Sequence, residues 1–86
     1  MTNLTDIIRD TATANDCTVT DTRHRNTWNV TANNYADCRD VDAYETLAAF
    51  VGVEFRCGAE RLTFMLGPCP DSSADGTFWV RIVRAR

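Results

Sequence analysis

The sequence predicts an α+β domain with the element order α-β-β-α-β-β-β, and three observations indicate it. Two segments space their apolar residues three and four positions apart, as an amphipathic helix does. Five shorter segments alternate apolar and polar residues, as strands do. Most of the connections between strands are short enough for hairpins, so we expect a mainly antiparallel sheet with both helices on one face. At 86 residues, the chain should form a single domain over residues 1–86.

The first helix and the first two strands are predicted in the N-terminal part of the chain. The helix, capped by Thr2 or Asn3 and ending near Asn15, has apolar or small residues at helical spacing: Leu4, Ile7, Ile8, Thr11 and Ala12. Residues 17–22 alternate with threonine at every second position and predict a strand. Residues 27–31 predict the second strand, with Trp28 and Val30 on its apolar face.

The second helix is predicted from its capping signals and its apolar stripe. Asp40 or Asp42 can serve as the N-cap, and Asp42 and Glu45 have the spacing of a capping box. Gly52 stands where helices often end. The expected apolar stripe consists of Val41, Tyr44, Leu47, Ala48 and Val51.

The last three strands follow the second helix. Residues 53–57 alternate and predict the third strand, and Leu62, Phe64 and Leu66 form the inner side of the fourth. Residues 67–76 are rich in Gly, Pro and Ser and predict a loop. Residues 77–84 predict the last strand, which should direct Phe78, Val80 and Ile82 inward and Trp79, Arg81 and Val83 outward.

The four cysteines argue against the common metal and redox sites. They stand at positions 17, 38, 57 and 69 and form no C-x-x-C pair, which zinc ribbons and thioredoxin-type sites require. We therefore expect the four cysteines to be small buried side chains, and we expect no bound metal and no cofactor. A disulfide, or a zinc site assembled from distant strands with His24, is the alternative. His24 lies in a polar turn between two arginines, so we expect no catalytic residue and no enzyme activity.

The charge and the N-terminal sequence restrict partner and compartment. The net charge is −3, and all nine basic residues are arginine. A dedicated nucleic-acid-binding domain is usually strongly basic, so direct binding to nucleic acid is not expected. The longest apolar run is too short for a membrane span, and the chain does not begin with a basic segment followed by an apolar one. We therefore expect a cytoplasmic protein without membrane contact.

Two groups of residues are candidates for binding a partner. Asp37, Asp40, Asp42 and Glu45 cluster around the start of the second helix, where they can form an acidic contact surface or simply offset the helix dipole. Met65, Trp79 and Arg81 should point outward from the sheet, and these residue types are enriched in protein interfaces. The alternative is that the first hairpin or the long loop covers them.

The absence of catalytic motifs and the contact-like surface favour a protein-binding module. The leading hypothesis is an accessory protein of the phage or mobile-element type that inhibits a host protein by stoichiometric occlusion. Its target would be a nuclease or a CRISPR-type defence complex. This choice of target follows from the general type of small acidic accessory protein and not from a motif in the sequence. The alternatives are a structural or regulatory homodimer associating through its sheet, and a small nucleic-acid-binding protein.

Overall fold

A computed structural model describes residues 4–34, 39–69 and 76–85. The elements in chain order are α1 (Leu4–Ala14), β1 (Cys17–Asp21), β2 (Thr27–Ala32), α2 (Arg39–Ala48), β3 (Phe55–Cys57), β4 (Glu60–Leu66) and β5 (Thr77–Arg84). The predicted α+β class and element order are confirmed. Neither described helix has the length and apolar character needed to cross a membrane.

The five strands form one antiparallel sheet in the order β1-β2-β5-β4-β3. Two hairpins, β1–β2 and β3–β4, flank β5, which pairs with β2 on one side and β4 on the other. The hairpins thus lie side by side in the plane of the sheet, so the first hairpin extends the sheet and does not fold over it.

The strand register divides the side chains between two faces, because directly paired residues point to the same side. Val30 pairs with Phe78, Trp28 and Leu66 pair with Val80, and Phe64 pairs with Ile82. These residues face the helices and, with Leu4, Ile8, Ala43 and Leu47, form or border the buried core. We call this the inner face. The intervening residues form the outer face.

Helix α1 packs over β1 and against α2. Its buried residues are Leu4, Ile8, Thr11 and Ala12, in agreement with the predicted stripe. The helix ends where Asp16 adopts a left-handed backbone with φ of 52°. The side-chain amide of Asn15 donates a hydrogen bond of 2.9 Å to the Thr11 carbonyl. The chain then turns directly into β1.

Helix α2 differs from the prediction in its start and in the side it buries. It begins at Arg39, so Asp40 and Asp42 lie within its first turn and are not its N-cap. Its buried residues are Asp40, Ala43 and Leu47, whereas Ala48 is exposed. The predicted stripe was wrong at Ala48 and Val51, because the side facing the sheet carries a small residue and an acid that give no apolar signal.

The segment after α2 also departs from the prediction. Residues 53 and 54 lie outside β3, which is only three residues long. Val51 forms an isolated parallel bridge with Phe64, and the Gly52 amide donates a hydrogen bond of 3.1 Å to the Thr63 hydroxyl. This segment therefore lies along the edge of β4 that β3 leaves unpaired.

Candidate protein-binding face

The outer face carries two kinds of surface. On β1 and β2 its side chains are Thr18, Thr20, Thr27, Asn29 and Thr31. On β4 and β5 its side chains are Arg61, Thr63, Met65, Thr77, Trp79, Arg81 and Val83. A sheet face that meets only water normally carries polar residues, as the first set does. The second set differs because Met65, Trp79 and Val83 lie among its polar and charged side chains.

Trp79 is half-buried and lies over the backbone of Gly67. A Cβ atom placed on Gly67 would stand 2.5 Å from the indole Nε1 and 2.7 Å from two of its ring carbons, so only glycine leaves room for the ring in this position. The Gly67 amide also donates a hydrogen bond of 2.9 Å to the Trp79 carbonyl. The indole thus covers Gly67, directly after the end of β4, an arrangement in which an aromatic ring shields a glycine beside its strand.

Arg81 joins Trp79 to β2. Its guanidinium carbon lies 5.2 Å from the centroid of the Trp79 ring, within the range of a cation–π interaction. Its Nε donates a hydrogen bond of 2.9 Å to the Thr27 hydroxyl, and that hydroxyl donates to the Arg25 carbonyl at 3.1 Å. Among the residues that the structure describes, no carboxylate forms an ion pair with Arg81. The guanidinium is therefore held between the Trp79 ring and the Thr27 hydroxyl.

An apolar groove of about 590 Å³ adjoins this group. It runs around the edge of β4 from the outer face to the end of α2, and its lining includes Tyr44, Ala48, Val51, Met65 and Val83. Met65 and Val51 are 44% and 48% exposed, large fractions for side chains of this kind. The Tyr44 hydroxyl donates a hydrogen bond of 2.9 Å to the Gly67 carbonyl, which fixes this flank of α2 against β4.

We use the name outer-face patch for Met65, Trp79, Arg81 and Val83. Three of these residues were candidates from the sequence, and the structure brings them together: Met65 pairs directly with Arg81, which stacks on Trp79. Thr27, Tyr44 and Gly67, which position the patch, were not foreseen. The only sequence signal for Gly67 is a glycine directly after a strand, and its partner Trp79 could be found only from the register.

The acidic candidates are placed elsewhere. Asp37 lies outside the described residues. Asp40 is 5% exposed and lies on the buried side of α2, with Ala43 and Leu47. Asp42 and Glu45 are exposed, and Asp42 lies 3.8 Å from the Arg39 guanidinium. Since α2 covers the inner face, these two acids and Trp79 lie on opposite sides of the sheet.

A second groove, of about 840 Å³, opens on the inner face beside Leu4 and Thr5 at the N-terminal end of α1. Trp28, Leu62 and Ile82 are among its apolar lining residues, and Arg25 and Arg84 lie at its rim. Glu60 forms an ion pair of 3.3 Å with Arg84. The inner face is therefore covered by the helices only in part, and this groove is separated from the outer-face patch by the thickness of the sheet.

The structure describes three of the four cysteines and the histidine. Cys17, Cys57 and Cys69 are not linked to one another, and Cys38 lies outside the described residues. Burial, and then the nearby Asp40 carboxylate, raise the pKa of the Cys17 thiol, which donates a hydrogen bond of 3.3 Å to the Asn15 carbonyl. His24 is exposed. Within the described residues, no group of three or more His, Cys, Asp or Glu side chains could hold a metal ion.

Comparisons of the chain with protein-family models, with curated proteins and with solved structures gave no match.

Proposed function

We propose that this protein is a binding module that attaches to another protein through the outer-face patch. The observation that supports this most directly is the Arg81 guanidinium stacked on Trp79 beside the exposed Met65. Tryptophan, arginine and methionine are enriched in protein interfaces, and tryptophan and arginine dominate binding hot spots. The threonine-rich half of the same face shows what this sheet carries where only solvent contact is expected.

The chemistry of the patch defines the partner surface that would fit. An apolar pocket would receive Met65 and the exposed part of Trp79, and a carboxylate would pair with Arg81, whose remaining N–H groups have a fixed orientation. A partner that continues around the edge of β4 would also enter the apolar groove as far as Val51. Asp42 and Glu45 would contribute only to a partner that extends beyond this groove onto α2.

The proposed mode of action is stoichiometric occlusion. A small domain that binds through one face can block a site on its partner without any chemistry of its own. Inhibition of a host nuclease or of a CRISPR-type complex remains the hypothesis for the target. It comes from the general type of protein and from no particular residue.

Charge-matched variants on the two halves of the outer face test the proposal. Met65→Glu and Thr20→Glu each add one negative charge at an exposed position of the same face, so both should leave the fold intact. We expect Met65→Glu to weaken the binding of a partner captured from a lysate of the source organism by at least about tenfold, because it places a charge in the apolar centre. Thr20→Glu should bind like the unmodified protein. Equal binding by both variants would refute the outer-face patch as the contact surface.

A further inference from the structure

Strand β1 presents a free edge with a defined set of backbone groups. It stands at one end of the sheet, and among the described residues no strand pairs with its other side. The backbone N–H of Asn33 donates a hydrogen bond of 3.0 Å to the backbone carbonyl of Asp16. Hydrogen-bonded and non-hydrogen-bonded residue pairs alternate along an antiparallel ladder. The backbone groups of Thr18 and Thr20, two and four residues after Asp16, therefore form hydrogen bonds with β2. The N–H and C=O groups of Cys17, Val19 and Asp21 therefore point away from the sheet.

This edge carries few of the features that normally prevent pairing between molecules. Such features are prolines, charged side chains (above all lysines), bulges, inward-pointing charges and very short edge strands. Asp21, at the end of β1, points to the inner face with Trp28 and is the one charged residue of this strand. The opposite edge strand, β3, is three residues long and carries Arg56 at its centre. β1 has five residues, contains neither proline nor lysine, and has β-branched side chains at its three central positions, which favour strand pairing.

We propose that two copies of this chain pair through β1, antiparallel and about a two-fold axis at Val19, to form a continuous sheet. In this register Val19 faces Val19 of the second copy, and Cys17 faces Asp21 on either side. All three outward-pointing residues are then used, and each pair exchanges two hydrogen bonds, about six in all. A shift of two residues along each strand would set Asp21 against Asp21 of the second copy, where like charges oppose pairing.

The surroundings of β1 complement a second copy. Val19 and Ile7 are half-buried at the border of the core. Thr5 lines the groove on the inner face. Ile7 follows it by two residues, which is about 200° around α1. Ile7 therefore lies on the opposite flank of the helix, above the free edge of β1. Ile7 and Val19 of both copies would form an apolar seam. At its ends, the exposed Arg23 of one copy approaches the exposed Asp16 of the other. Asp10 lies on the same flank as Ile7, so its charge limits the affinity.

Paired substitutions on the exposed side of β1 test both the dimer and its register. In the proposed register, position 18 of one copy lies opposite position 20 of the other, twice per dimer. Thr18→Lys with Thr20→Lys places like charges opposite each other, and Thr18→Lys with Thr20→Glu places opposite charges there. Both threonines are exposed, so the folded monomer should tolerate both variants. Thr18 loses its hydrogen bond to Asn33 in both alike.

Sedimentation equilibrium over a wide concentration range, at low salt, measures the dissociation constant of each protein. We expect the unmodified chain to dimerise, the double-lysine variant to dimerise at least about tenfold more weakly than the lysine–glutamate variant, and the latter to match or exceed the unmodified chain. Circular dichroism of dilute samples verifies the fold. A chain that stays monomeric at the highest concentration overturns the proposal. Equal dissociation constants for the two variants also overturn it, because the dimer would then use another surface.

Discussion

Trp79 and Gly67 should be energetically coupled, and a double-mutant cycle measures the coupling. Gly67→Ala adds a methyl group whose carbon, the new Cβ, would stand only 2.5 Å from the indole Nε1 of Trp79. Normal contact requires about 3.5–4.0 Å between such atoms, so the ring must move by about 1 Å or more to restore that separation. Overpacking of this kind costs about 1–3 kcal/mol.

The same substitution should be nearly neutral once the ring is gone. In a Trp79→Ala background, the ring atoms nearest to the new methyl group are absent, and we expect a cost below about 0.5 kcal/mol, which is typical of surface changes. The coupling energy is then about 0.5–3 kcal/mol, as for residues in direct contact. Urea unfolding at 25 °C, followed by far-ultraviolet circular dichroism, gives the four free energies of unfolding.

Gly58→Ala is the matched control. Gly58 has a φ of 65°, and no atom lies within 4 Å of the place that an added methyl group would take, so its substitution strains the backbone without touching Trp79. Its cost, about 1–2 kcal/mol for a residue with a Cβ in the left-handed region, should be the same with Trp79 present or absent. If the cost of Gly67→Ala is also the same in both backgrounds, the indole does not lie over Gly67, and the rigid support proposed for the outer-face patch is wrong.

Two further predictions concern the core. Leu47→Ala should lower the free energy of unfolding by about 2–5 kcal/mol, because Leu47 is fully buried, whereas Val51→Ala, at an exposed position, should lower it much less. If urea unfolding shows the larger loss for Val51→Ala, the helix phase expected from the sequence is correct and the observed one is wrong. The raised pKa of Cys17 means that the folded chain holds the thiol proton more tightly than the unfolded chain does. Its contribution to stability is therefore complete below about pH 8.5 and is lost as the pH rises through the folded pKa. Unfolding free energies measured from neutral to alkaline pH should fall more steeply for the unmodified chain than for Cys17→Ala, and parallel curves would contradict this.

The strands were predictable where large apolar residues alternate without interruption. β5 matches its predicted bounds, and the alternation of Phe78, Val80 and Ile82 with Trp79 and Arg81 correctly assigned the outer face. The sheet order was beyond the sequence pattern, because β2 and β5 pair across more than half of the chain. Alternation identifies the two faces of a strand but carries no information about its neighbours.

The errors in α2 have a related cause. Ala43 and Asp40 are buried because of where the helix sits on the sheet, although neither residue is strongly apolar. Val41 and Val51 suggested a different phase, yet Val51 lies past the helix end and bridges to Phe64. The sequence-based hypothesis also assigned the acids of this helix and the Trp79 group, as two sets of residues, to the same partner. Only the layer arrangement shows that the sheet lies between them.

What composition alone could not supply is the rigidity of the outer-face patch. Gly67, Trp79, Arg81 and Thr27 form a connected series across β4, β5 and β2, through ring packing, cation–π stacking and a hydrogen bond. Arginine and tryptophan side chains usually lose conformational freedom on binding, at about 0.5–1.5 kcal/mol each. Here the fold has already restricted both, so less of the interaction energy with a partner is spent on ordering them. The backbone pairing of the sheet does not depend on this series. Thr27 belongs to the threonine surface and anchors Arg81 there, whereas the indole and the guanidinium that a partner would meet lie in the outer-face patch.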